Sequence, residues 1–131
     1  MKSLQMKSKL SVLEDLFSIH RLLPDNEIPM QLFERLFCSI TKTEDELSVI
    51  CSSSVPLNSA SSETGWSCIK ILGALNFTLT GFLADVLAVL AKAKISVLAI
   101  STFDTDYILA KSDKRQTATK ALRRPEQTFS N

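Results

Sequence analysis

Apolar and polar positions alternate between short blocks along the chain. Residues 16–23 (LFSIHRLL) form an apolar run of strand length that stops at Pro24-Asp25-Asn26, a turn-forming cluster. Residues 29–36 open with a proline where a helix tolerates one and set Leu32, Phe33 and Leu36 on one face, which predicts about two helical turns. Two short apolar runs follow, 37–42 and 47–52, and Thr43-Glu44-Asp45-Glu46 between them reads as the turn of an antiparallel hairpin. The first half therefore predicts strand, helix, strand, strand.

Residues 52–65, rich in serine with Pro56 and Asn58, read as a connecting loop. Trp66, Cys68 and Lys70 then alternate with Ser67, Ile69 and Ile71, so a strand over 66–72 carries apolar groups on both faces and belongs inside a sheet. From Thr80 onward Phe82, Leu83, Val86, Leu87, Leu90 and Ala91 recur at helical spacing, leaving Asp85 and Lys92 to solvent. Residues 95–101 (ISVLAIS) and 107–111 (YILAK) predict two more strands around a turn. Asp113 is placed to cap a last helix running to Arg124, and residues 126–131 read as a loose tail.

The order strand, helix, strand, strand thus occurs twice. Residues 40–49 laid over residues 100–109, an offset of 60, pair two hairpins that each have an apolar strand, a threonine-containing acidic turn and a second apolar strand. Such repetition predicts an α+β fold of two tandem ferredoxin-like βαββ units, with antiparallel sheets and helices on one face. The expected halves are residues 1–60 and 61–131, the second ending in a polar tail.

Charge and cysteine usage narrow the function classes. Fifteen basic residues against fourteen acidic ones leave no sequence-independent grip on nucleic acid or anionic membrane, so neither is an expected partner. Residues 1–65 carry 6 basic and 9 acidic residues and residues 66–131 carry 9 and 5, a modest complementarity between the halves. The longest apolar stretch, 82–100, contains Asp85, Lys92 and Lys94, which are costly in lipid, and residues 1–20 are interrupted by Glu14 and Asp15, unlike a secretory signal. A cytoplasmic location is expected. Cys38, Cys51 and Cys68 lack the close pairs of a zinc or redox motif and read as reduced, structural residues. His20 has no Cys, Asp or Ser spaced to complete a nucleophilic set, and Glu44, Asp45 and Glu46 read as a solvated turn. No enzyme activity, metal or cofactor is expected.

Three stretches carry a resemblance to a known family: residues 65–73 (GWSCIKILG), 79–84 (LTGFLA) and 95–109 (ISVLAISTFDTDYIL), with STFDTDYIL the most specific. They resemble the small bacterial tandem ACT-domain proteins, relatives of the regulatory domains of aspartate kinases and of cytosolic arginine sensors. Similar proteins carry an N-terminal half like residues 16–29 followed by residues 37–51, so the resemblance spans about residues 12–124. The chain departs from the family at three places. Lys94 stands where glycine is common before the Ile-Ser strand and is expected to shift the helix end. Asn76 replaces an acidic residue at the start of the strand-to-helix loop. After Arg124 no apolar strand closes the second sheet, which leaves that strand to come from elsewhere in the chain, to come from a second subunit, or to be absent.

The resemblance implies regulatory binding of a small molecule, an amino acid above all, without chemistry. Its site would comprise Asn76, Phe77, Thr78, Leu79, Thr80 and Gly81, where backbone N–H groups at the helix start suit a carboxylate. Asp106, and after it Asp104, would meet a cationic group. The structural alternative is that Thr80 caps the helix, Gly81 packs, and both aspartates are solvated turn residues. Unpaired sheet edges favour a homodimer. A module for protein interaction or assembly that has lost its ligand is the alternative function.

Overall fold

The computed structural model describes residues 8–72, 82–123 and 127–129. They form eight strands, β1 (Ser8–Val12), β2 (Phe17–Leu22), β3 (Cys38–Lys42), β4 (Leu47–Ser52), β5 (Ser61–Leu72), β6 (Val97–Ser101), β7 (Asp106–Lys111) and β8 (Gln127–Phe129), and two α-helices, α1 (Phe82–Lys92) and α2 (Arg115–Leu122). Short 3-10 helices occupy Met30–Glu34 and Ser112–Lys114. The chain divides into two compact units, one formed by residues 15–66 and the other by 67–131 together with the N-terminal segment that ends at Glu14.

In the unit of residues 15–66 the sheet order is β3-β4-β2-β5, and every neighbour pair is antiparallel. Period-two alternation puts Leu22, Leu47, Val49 and Cys51 on one face, where they pack with Leu32 and Val55. Only Leu32 of the first 3-10 helix is buried, whereas Phe33 and Leu36 are exposed. The expected two-turn α-helix is therefore corrected to a five-residue 3-10 helix, held by Leu32 N–H to Pro29 C=O at 3.1 Å and Arg35 N–H to Leu32 C=O at 3.4 Å. At three residues per turn the apolar positions 32, 33 and 36 no longer share a face, and so short a segment is too brief to sustain an α-helix.

Strand β5 begins at Ser61, five residues before the sequence pattern turns apolar. The polar stretch read as loop pairs with β2 through Ser61↔Arg21, Ser62↔His20 and Glu63↔Ile19, and the register shifts before Trp66↔Phe17. Gly65, at φ 79, sits in that irregularity, where an extra residue needs the left-handed conformation.

The other unit has the sheet order β6-β7-β5-β1-β8. Ile69 and Ile71 of β5, Ile108 and Ala110 of β7 and Leu10 of β1 face Val86 and Leu90 of α1 and Ala118 and Leu122 of α2 in one buried cluster. Of the predicted stripe on helix α1, Leu83, Val86, Leu87 and Leu90 pack into this cluster, whereas Ala91 is exposed. Asp113 does not cap α2: it lies inside the second 3-10 helix, and Lys114 holds the N-cap position of α2 without a side-chain cap hydrogen bond.

Two strands were not anticipated. Strand β1 pairs antiparallel with β5 from Lys9↔Leu72 to Val12↔Ile69, and so supplies from within the chain the strand the sheet lacked. Strand β8 falls in the expected loose tail and pairs parallel with β1.

The two hairpins correspond at an offset of 59 rather than 60. Thr43 N–H donates to Glu46 C=O at 2.9 Å, and Thr102 N–H donates to Thr105 C=O at 2.8 Å. In both turns the threonine hydroxyl also accepts a backbone N–H from the turn. The turn's hydrogen bonds, not the apolar match of Ile40 with Ile100, define the register.

Candidate functional site

Of the candidate ligand residues, Asn76, Phe77, Thr78, Leu79, Thr80 and Gly81 lie outside the described residues. Asp104 and Asp106 lie at the β6–β7 hairpin. Asp104 is exposed in the turn, whereas Asp106 is half-buried and is the first residue of β7 rather than part of the turn. It pairs across the sheet with Ser101, whose hydroxyl donates to Asp106 Oδ1 at 2.6 Å.

Alternation along β7 fixes where that carboxylate points. Ile108 and Ala110 face α1 and α2 in the buried cluster, so Asp106, two residues before Ile108, projects from the same face at its hairpin end. The hydroxyl of Ser101 orients the carboxylate and leaves a negative charge, bordered by the exposed side of the turn, able to receive a cationic donor. Sequence reading named Asp106 but not Ser101, because a cross-strand partner becomes visible only once the hairpin register is known.

On the opposite face, burial pushes the Cys68 thiol up to about 12. Burial, and then the nearby Cys68, push the Tyr107 phenol upward as well. Burial thus favours the neutral form of both groups.

In the other unit His20 is buried, with Nδ1 2.9 Å from Ser59 Oγ and Nε2 without a partner. Desolvation lowers its pKa. Of the structural or surface placement that its isolation in the sequence suggested, His20 takes the buried one. The acidic turn of β3–β4 is engaged by Arg21, whose guanidinium lies 3.2 Å from Glu46 Oε1 and donates to Asp45 C=O at 3.4 Å. Among the described residues no group of three or more His, Cys, Asp or Glu is arranged to hold a metal ion, and no helix is long and apolar enough to cross a membrane.

An antiparallel sheet with α1 and α2 packed on one face is the architecture of an ACT domain, and residues 61–124 match the family model of that domain. A second family model, described as an N-terminal domain, matches residues 15–57. A solved protein of Agrobacterium tumefaciens is 31% identical, over 95% of this chain and 92% of its own, with a TM-score of 0.84. The chain belongs to the same family as that protein, and its C-terminal part carries the ACT domain. A Vibrio cholerae protein of unknown function, described as a possible transport protein, shares the fold at 19% identity and TM-score 0.68, over 91% of this chain and 89% of its own. A putative C-terminal regulatory domain of aspartate kinase from Porphyromonas gingivalis shares it at 14% identity and TM-score 0.55, over 88% and 94%. No curated protein matches the sequence.

Proposed function

We propose that this chain is a non-catalytic regulatory protein that binds an amino acid or a similar small ligand through a tandem pair of ACT-type units, as a cytoplasmic homodimer. The observation that carries the reading is the oriented Asp106 carboxylate at the hairpin end of a sheet whose sequence matches the ACT domain. The regulatory domain of aspartate kinase among its structural neighbours supports a regulatory role. The recurrence of one strand order, with a threonine-anchored turn in each unit, supports the tandem description.

In this reading the loop from Asn76 to Gly81 holds the ligand carboxylate with backbone N–H groups, and Asp106, flanked by Asp104, receives a cationic group. The ligand acts by binding two arrangements of the protein with different affinity. Isothermal titration against the twenty amino acids, with the melting temperature followed in parallel, tests this. Binding by at least one of them with a raised Tm is the expected result. If arginine or lysine binds, Asp106→Ala weakens it at least tenfold, the effect of losing one charge-assisted hydrogen bond, and unchanged affinity moves the site away from the hairpin.

Silence from all twenty, with an unchanged Tm, favours the second reading, an assembly module without a ligand. The exposed apolar side chains Leu23, Met30, Phe33 and Leu36 support that reading.

A further inference from the structure

Strands β3 and β4 pair antiparallel without a register shift from Lys42↔Leu47 to Cys38↔Cys51. Thr43 and Glu46 close the turn with a backbone hydrogen bond, so theirs is a hydrogen-bonded pair and the pairs alternate outward from it. By that alternation Lys42, Ile40 and Cys38 each fall in a non-hydrogen-bonded pair. These are the close pairs, with Cα atoms about 4.5 Å apart and side chains side by side on one face. A disulfide spans Cα separations of about 4.4–6.8 Å, so the backbone already holds Cys38 and Cys51 at bonding distance.

Their surroundings divide the labour. Cys51 is fully buried in the core of this unit, while Cys38 is half-buried against the same cluster and reachable from outside. Burial first, and then the adjacent Cys38, push the Cys51 thiol up, whereas the Arg35 guanidinium pulls it down. A small reagent therefore meets Cys38 first, and Cys51 is placed to resolve what forms there.

We propose that Cys38 and Cys51 are a reversible dithiol–disulfide pair, oxidised by a small-molecule disulfide of the glutathione class. The Cys38 thiolate attacks one sulfur of R–S–S–R. That bond breaks, and the departing RS⁻ takes up the proton Cys38 has lost. Cys51 then loses its proton and attacks Cys38 Sγ, displacing the second RS⁻, which is protonated in turn. Two protein thiols thus lose two electrons and two protons, and the small disulfide becomes two thiols. The product fastens β3 to β4 and closes the hairpin into a loop. Cys68 is fully buried, belongs to the other unit, and serves as an internal reference. This pair stands independently of ligand binding.

The test treats the full folded chain with oxidised glutathione under native conditions, followed by intact-mass analysis, thiol titration and peptide mapping. The expected product has lost the mass of two hydrogens, retains Cys68 as its one titratable thiol, yields a Cys38–Cys51 linked peptide, and melts roughly 5–10 °C higher until dithiothreitol reverses the change. Cys38→Ser should form neither link nor adduct. Cys51→Val, which keeps an apolar side chain in the core, should stop at a stable glutathione adduct on Cys38. Three persisting thiols in the wild-type chain, an adduct that never advances to the link, or a link that forms only in urea would each overturn the proposal.

Discussion

Lys94 adopts a backbone conformation suited to glycine. Its φ of 62 puts it in the left-handed region just past α1, with Lys94 N–H to Ala91 C=O at 2.9 Å and Ile95 N–H to Leu90 C=O at 3.0 Å. These two bonds are the Schellman pattern, and Ile95 and Leu90 supply its apolar contact in the buried cluster. The expected shift of the helix end therefore does not occur, because the backbone bonds and the burial of Ile95 hold Lys94 in place. A non-glycine residue in this region costs about 1–2 kcal/mol, and glycine gives back roughly 0.5–1 kcal/mol in unfolded-state entropy. Lys94→Gly should accordingly stabilise the protein by about 0.5–1 kcal/mol, read as a higher midpoint in urea at unchanged slope. His20 yields a second prediction. Its pKa is lowered in the folded state, so the unfolded chain binds the extra proton and stability falls as pH drops below about 6.5, the ordinary histidine value. Melting curves between pH 7 and pH 5 should show this decline, and His20→Gln should flatten it.

Among the elements, β1 and the first 3-10 helix lie furthest from what their sequences suggest. Strand β1 is SKLSV, with one large apolar residue, Leu10, directed at the cluster between sheet and helices and 0% exposed. Its polar neighbours give no strong strand signal, because the strand is specified by the free edge of β5 rather than by its own composition. Leu10→Ala should cost about 2–5 kcal/mol, a large share of the stability of a domain this size, measured by denaturant unfolding. The first 3-10 helix permits a sharper contrast. Leu32 is 0% exposed and Phe33 is 58% exposed, so Leu32→Ala should cost a similar amount while Phe33→Ser stays within about 0.5 kcal/mol. Equal effects would mean that the predicted α-helical face forms after all. The hairpins, by contrast, were legible from their threonine turns, and only their relative register had to be corrected.

At the scale of the whole molecule, chain order and spatial grouping differ. The unit that contains the ACT domain's helices also takes in residues 8–14 from the opposite end of the sequence, so a fragment starting at Ser61 has its helices but lacks β1. Residues 61–131 alone should show a broad, low-temperature melt by circular dichroism, and fusing residues 1–14 behind residue 131 through a flexible linker should restore a cooperative transition. A cooperative melt by the bare fragment would show that β1 is dispensable. The same dependence explains why no strand after Arg124 signalled the closing of the sheet: the missing neighbour of β5 precedes it in sequence, separated from it by the whole of residues 13–60.

By itself the sequence determined the α+β class, the two hairpins and the helix at 82–92. Each is written in a local period or in turn chemistry within a few residues. Only the tertiary structure decided the 3-10 form of residues 30–34, the partners of β1 and β8, the serine that orients Asp106 and the opposition of Cys38 to Cys51. Those depend on which backbone edge or buried face a segment meets, and such meetings join residues that no short window of sequence contains.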